Sequence, residues 1–431
     1  MLPSASLRTV RKLDNGPGRD LGRDSQTDMD NFIAEQRTVP RTLAGATVLQ
    51  IVPSLKPSSA ARIAVNVAHA LVRAGGRVIV ASEGGALVSE LKGFGGEWLS
   101  YVDTTFNPLK LRRNMKTLVN LLARDQIDIV HARSAGAAWC ALPAAERSGA
   151  GVITELFDIP NALMLFGAHY RRALSSGDRI ITHSAYDARP MIERYSIPPQ
   201  RVCVIPRSID LGEFNPALVN PARAAALRQS WGIPTGTRVV LVPGRVAPWN
   251  GQITLAEVAR ILTAKGMRGV TFVLAGDDRS HPRHVRAILQ RAQDEGVSAL
   301  FRLVGNCPDM PTAFAAADIV VVPYLKPPVT ARMAAEAQAM ARPVITASVG
   351  ALPEYVLAPP RVVEDLRTGW VVAPGQPQEL ARALGEALSL KEKAASTLGE
   401  RARQFAAHMF SPESVITATL DVYNSLLRTS E

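Results

Sequence analysis

Cysteine is scarce in this 431-residue chain: Cys140, Cys203 and Cys307 stand far apart in apolar segments. No CxxC pair and no Cys/His spacing of a zinc site goes with them, so they read as reduced core residues and no metal is expected. No window offers the ~18 continuous apolar residues of a membrane-spanning helix, and the N-terminus has no apolar core of a secretory signal. The expected location is therefore cytoplasmic, either free or peripheral at the inner face of a membrane. Short-period repeats are missing as well. There is no recognition motif and no aromatic-basic platform for nucleic acid. The formal net charge of +11 is left to an anionic membrane surface or to phosphorylated substrates.

What is present is a globular composition, 47% apolar and 20% charged, in a chain long enough for two cores of roughly 200 residues each. Residues 1–43 mix Arg, Asp, Ser, Gly and Pro without apolar periodicity and read as a disordered tail. From there strand-like and helix-like runs alternate: "TVLQIVPS", "SSAARIAVNVAHALVRAGG", "RVIVAS", "DIVHA", "GAAWCALPAAERSG", "GVITELF" and "RIITHS". This alternation predicts a parallel sheet with helices on both faces over residues 44–206. The Pro, Gly and Asp content of 207–216 suits a linker. The alternation restarts with "RVVLVPG" and runs to 411, predicting a second sheet of the same kind. A last helical pattern, 412–431, follows the second sheet and is expected to pack back on the first domain. The basic helix 107–126 could cover the sheet or meet anionic lipid. The fold class is thus α/β, two Rossmann-like doubly wound domains expected to face each other across a cleft, where ligands of such sheets bind.

Several motifs recur in a fixed order: "HARS" (131–134), "IITHSAYD" (180–187), "RVCVIPRSIDLGEFNP" (201–216), "VVLVPGRVAPWNGQITLAE" (239–257), "VLAGDD" (273–278), "LVGNCPDMPTAFAAADIVVVP" (303–323) and "EAQAMARPVITASVGALPE" (336–354). In that order and spacing the chain resembles a GT-B retaining glycosyltransferase of family 4, in the branch that builds lipopolysaccharide core and other surface glycans. The resemblance spans nearly everything after the tail. It implies transfer of a hexose from a nucleoside-diphosphate sugar to a glycan or glycolipid acceptor, with no cofactor beyond the nucleotide sugar and no metal. On the donor side it implies Gly244, Arg245, Asn250, Gly251, Asp277, Val304, Gly305, Asn306, Arg332, Glu336, Ser58 and Ser59, with Arg245 and Glu336 as the catalytic pair. On the acceptor side it implies His131, Arg133, Phe157 and Asp158.

Physically, Arg245 follows a strand and precedes a loop that feeds a helix N-terminus, a setting that favours a diphosphate. A guanidinium there would neutralise the leaving nucleotide. Plainer readings stand beside these: a solvated Arg245, an i,i+4 surface pair of Arg332 and Glu336, a loop-capping Asp277, a structural His131.

Four departures from the family pattern fall in the donor pocket. A lysine is usual five residues after the arginine, where this chain has Asn250. An acidic residue is usual eight positions before Glu336, where it has Pro328. A histidine is usual where it has Phe157, with the carboxylates of Glu155 and Asp158 nearby, and a glycine pair where it has Ser58 and Ser59. Two functions are therefore open: a working transferase, and a donor-site relic that serves as a partner or regulator in glycan assembly.

Overall fold

The computed structural model describes residues 43–102, 108–155, 172–328 and 331–427. The chain divides into two compact units, residues 1–208 with 412–431, and residues 209–411.

The first unit is built on β1 (Thr47–Ile51), β2 (Arg77–Ser82), β3 (Glu97–Ser100), β4 (Ile129–Ala132), β5 (Gly151–Glu155), β6 (Arg179–Thr182) and β7 (Val202–Val204), all parallel in the order β3-β2-β1-β4-β5-β6-β7. The central strands are buried on both faces, which is why they read as mostly apolar runs rather than alternating ones. Crossover helices α1 (Ser59–Arg73), α2 (Val88–Gly93), α3 (Pro108–Arg124), α4 (Ala135–Ser148) and α5 (Ala185–Tyr195) separate them. Three of the helices start on a serine. The Ser58, Ser134 and Ser184 hydroxyls accept from the amides of Ala61, Ala137 and Asp187, satisfying donors that a helix leaves open at its start. In α3, Leu118, Leu121 and Leu122 are buried while Arg112, Arg113 and Lys116 stay exposed, so the helix covers its sheet with one face.

The second unit repeats the plan with β8 (Arg238–Pro243), β9 (Val270–Ala275), β10 (Phe301–Gly305), β11 (Ile319–Val322), β12 (Val344–Ala347) and β13 (Gly369–Val372), parallel in the order β10-β9-β8-β11-β12-β13. Its helices are α6 (Pro221–Ser230), α7 (Leu255–Ala264), α8 (Pro282–Asp294), α9 (Met310–Ala316), α10 (Arg332–Ala339), α11 (Pro377–Leu388) and α12 (Glu392–Phe410). Strand order reverses direction between β1 and β4 in one sheet and between β8 and β11 in the other. Crevices open beyond the carboxyl ends of the strands at such points.

One device recurs in both sheets. Asp128, Asp178 and Asp318 each stand just before a strand, and each carboxylate accepts the amide proton of a residue at the start of the neighbouring strand: Thr47 at 2.7 Å, Val152 at 2.8 Å and Val239 at 2.8 Å. The charged acceptor replaces a ladder partner that the strand start lacks, and it sets the register of the adjoining pair.

After the second unit the chain returns as α13 (Pro412–Leu427), whose Val415, Leu420, Val422, Tyr423 and Leu426 join a core containing Val48, Ile63, Val67 and Leu71. Polar bonds fix the helix as well: the Tyr423 hydroxyl lies 2.8 Å from His131 Nδ1, and Arg179 Nε donates to Ser425 Oγ at 3.1 Å. One strand of the first unit was not among the runs read from the sequence. Val202–Val204 forms the edge strand β7, paired with β6. A three-residue apolar run flanked by prolines is too short to register as a strand.

Tyr423 is fully buried, so Tyr423→Ala should cost the first unit about 3–5 kcal/mol, the usual price of truncating a core aromatic. Urea denaturation measures it, and a loss below about 1 kcal/mol would mean that the helix does not dock as described.

Candidate functional site

Two constellations hold the chemistry, one in each unit. In the second unit the chain leaves β8 through Gly244 and Arg245 and turns back at Gly251. The turn is held from inside: the carbonyl of Arg245 accepts from Asn250 Nδ2 at 2.7 Å and from Gln252 Nε2 at 2.8 Å, and both amide side chains are buried. Two glycines allow the close packing around it. A Cβ at Gly251, where φ is +72°, would lie 2.0 Å from the carbonyl oxygen of Pro323, and one at Gly276 would lie 2.2 Å from that of Gly244. With its backbone so fixed, Arg245 turns its side chain outward, 58% exposed, with Asp277 3.8 Å away.

Asp277 itself is occupied in its own turn. Its carboxylate accepts from the amides of Arg279 at 3.0 Å and Ser280 at 3.2 Å and from the Ser280 hydroxyl, which, with Arg245, holds its pKa below the usual range. Val304 and Gly305 end β10 and Asn306 follows it; the Gly305 carbonyl takes the Gly276 amide at 2.8 Å. Asn306 is exposed.

Helix α10 follows β11 and carries Arg332 and Glu336. Its Met333 lies against Gly244, since a Cβ there would come within 3.0 Å of the Met333 methyl. The structure thus gathers Gly244, Arg245, Gly251, Asp277 and the start of α10 at the carboxyl ends of β8, β9 and β11. Glu336 is buried and ion-paired with the half-exposed Arg332. Burial pushes its carboxyl up to about 7 against the pull of Arg332, and Glu213 adds to the rise.

Asn250 stands apart from this group. Its amide points into the protein at the Arg245 carbonyl, so the position that the family fills with a lysine here serves the loop. Pro328 lies with Pro327 against Gly350, whose added Cβ would meet Pro327 at 2.9 Å.

In the first unit a pocket opens at the carboxyl ends of β4, β5 and β6. Ile63, Ile181, Ile205 and Val415 form apolar walls, and Arg133, Glu155, His183 and Arg207 supply polar groups. Glu155 Oε2 lies 2.9 Å from Arg133 Nη1 and 3.2 Å from His131 Nε2. Burial works against its charge, but Arg133, followed by His131, holds the carboxyl down to about 2. Burial, with Arg133 beside it, lowers His131 to about 4, so at neutral pH this imidazole is uncharged.

Two readings of the sequence change here. His131 has no exposed surface and does not line the pocket; it lies behind Glu155, held by Tyr423. Ser58 is the cap of α1 at φ −157°, extended backbone open to any residue, so a serine there carries no positive-φ restriction. Ser59 lines the pocket. Phe157 and Asp158 lie outside the described residues. Sequence reasoning saw Glu155 only as a nearby carboxylate and passed over His183, Arg207 and Tyr423. A charged residue ending the apolar run "GVITE" was the available signal.

The comparisons with known proteins agree with this layout. Residues 60–213 match the family model described as Glycosyltransferase Family 4, and residues 237–389 match Glycosyl transferases group 1. A glycosyltransferase from Rickettsia africae superimposes with a TM-score of 0.70 at 25% identity, over 89% of this chain and 99% of that one. HepE of Anabaena, in complex with UDP and glucose, gives 0.63 at 20% identity over 88% and 100%. The fold is therefore GT-B, and each of the two units matches a glycosyltransferase family model, of the family 4 and group 1 type.

Among curated proteins, the D-inositol 3-phosphate glycosyltransferase of Salinispora arenicola is 30% identical over 262 residues, 58% of this chain and 56% of that one. The protein of the same name from Mycobacterium tuberculosis is 31% identical over 257 residues, 59% and 50% of the two chains. The match thus spans about half the length of these curated relatives.

The buried Glu336 generates a prediction. Its pKa is about 7 in the fold against an ordinary 4.5, so folding takes up a proton between those values and stability falls as pH rises through them. Glu336→Gln should flatten that slope and gain on the order of 3 kcal/mol at pH 8 relative to pH 4. Denaturation at the two pH values tests it; an unchanged slope would place the carboxyl in water.

Proposed function

We propose that this chain transfers a hexose from a nucleoside-diphosphate sugar to a hydroxylated acceptor, with retention at the sugar and without a metal. One observation carries the reading: Arg245 is an outward-facing cation on a backbone locked by two buried amides, at the switch point of the second sheet. A side chain whose base is fixed loses less freedom when it meets an anion, and a guanidinium grips a phosphate in two directions. In this reading Arg245, with Arg332 at the start of α10, takes the charge that grows on the diphosphate as the glycosidic bond breaks. Glu336 accepts a nucleotide hydroxyl. The leaving phosphate takes up the acceptor's proton, so the chain needs no separate base.

The acceptor class is a glycan or glycolipid of surface-polysaccharide assembly, as the motif resemblance implies, or a phosphorylated inositol, as the curated relatives' names suggest. The work is done in the cytoplasm, at or near the inner membrane face. No helix of the described residues is long and apolar enough to cross a membrane.

A second reading has its own observation. Asn250 is turned inward and supplies no cation, and Pro328 offers no side-chain acceptor. A protein so changed could bind its nucleotide without transferring sugar and serve as a partner in glycan assembly.

Transfer assays on purified protein with a panel of nucleotide sugars separate the two readings. In a working enzyme Arg245→Ala should lower transfer roughly ten- to hundred-fold, the loss of one charge-assisted phosphate contact. An unchanged rate would mean that the leaving group is stabilised elsewhere. No transfer by the parent with any donor, alongside retained nucleotide binding, would establish the second reading.

A further inference from the structure

The second unit carries a cationic face that the proposed reaction does not use. From Arg279 to Gln293 the chain has no acidic residue, and it holds Arg279, Arg283, Arg286 and Arg291 with His281 and His284. Arg291 reaches Glu295 at 2.9 Å and Glu257 on α7 at 3.7 Å. Arg279, Arg283 and Arg286 are exposed and form no ion pair among the described residues. Arg283 and Arg286 are neighbours on the surface of α8, where like charges at that spacing repel.

Large apolar side chains stand on the same surface. Leu289 is 46% exposed and follows Arg286 by three positions, so the two adjoin on the outer face of α8. Ile288 and Ala292 of that helix are buried in the core instead. Trp249, 40% exposed, meets the ring of His281 edge-on with centroids 5.0 Å apart, which puts it at the start of α8. Among the tryptophans it alone is exposed.

Unpaired guanidinium groups beside an exposed tryptophan and leucine fit one kind of partner best. An anionic bilayer surface takes the charges without a fixed partner for each, and its headgroup zone accepts an indole and a leucine together. A nucleic acid strand matches the arginines and Trp249 but has nothing for Leu289.

We propose that the outer face of α8, with Arg279 and Trp249 at its start, docks the second unit on a membrane surface of anionic lipid. Trp249 and Leu289 enter the headgroup zone while Arg279, Arg283 and Arg286 meet the lipid phosphates. Trp249 belongs to the locked loop that carries Arg245, so the docked surface adjoins the proposed diphosphate site. It is a different surface from the basic helix α3 of the first unit. The membrane-proximal location proposed above thereby gains a named surface, and vesicle binding is read without sugar transfer, so each can fail alone.

The test is co-sedimentation of the full chain with vesicles of phosphatidylcholine, alone or with about a third of phosphatidylglycerol. Binding is expected only with the anionic lipid, and it should be lost in about 1 M salt, where charges act over only ~3 Å. Arg279→Glu, Arg283→Glu and Arg286→Glu together should weaken it at least about hundredfold, since each cation near such a surface contributes about fivefold. The matching reversal on α3, Arg112→Glu with Arg113→Glu and Lys116→Glu, should cost less than about tenfold. Tryptophan emission should shift to the blue on binding, and Trp249→Phe should remove the shift. Should the triple variant on α8 fail to fold, Leu289→Asp alone tests the same face, with a loss of about tenfold expected. The proposal is overturned by parental vesicle affinity in either folded α8 variant, by a loss confined to the α3 variant, by emission unmoved on vesicles that hold the protein, by equal binding to neutral lipid, or by a parent that binds no vesicle. Binding to single-stranded DNA or polyglutamate without binding to vesicles would give the face to another anionic partner and overturn it too.

Discussion

The carbonyl of Arg245 is where the second unit's chemistry begins. Two buried side-chain amides donate to it from positions five and seven residues further along the chain. That grip folds the loop back on itself and leaves the guanidinium no inward course. Each of those amides would be costly to bury without a partner, on the order of 1–3 kcal/mol. The turn and the amides therefore stabilise each other. Gly251 and Gly276 belong to the same constraint, because a side chain at either would collide with the backbone of a neighbouring segment.

The two units hold their charges in opposite ways. Arg245 sits in water on a rigid base, with a weak partner 3.8 Å away, so it is ready to exchange that partner for a phosphate. Glu155 is out of water and is charged only because Arg133 is close enough to outweigh burial. An exposed cation suits a ligand that arrives with its own strong charge.

Much of the architecture was legible in the sequence. The alternation of apolar strands with amphipathic helices announced two parallel sheets, because strands buried on both faces have few polar positions to confuse the pattern. Arg245 was legible as a residue between a strand and a helix. The direction in which Asn250 turns was not, since it depends on how closely the loop packs against Pro323 and Gly276 of other segments. Nor was the setting of Glu155, which is made by Arg133 and His131 on β4 and its end and, through His131, by Tyr423, 292 residues further on. Strand β7 was missed for want of length, and Ser58 was judged as a lost glycine when its hydroxyl is a helix cap.

The central claim is that the second unit binds a nucleoside diphosphate on the locked loop that carries Arg245. Hydrogen exchange with and without UDP tests it most directly. The account predicts added protection at residues 244–252 and 276–281, lost in Arg245→Ala. Protection confined to the first unit, or none at saturating nucleotide, would contradict it.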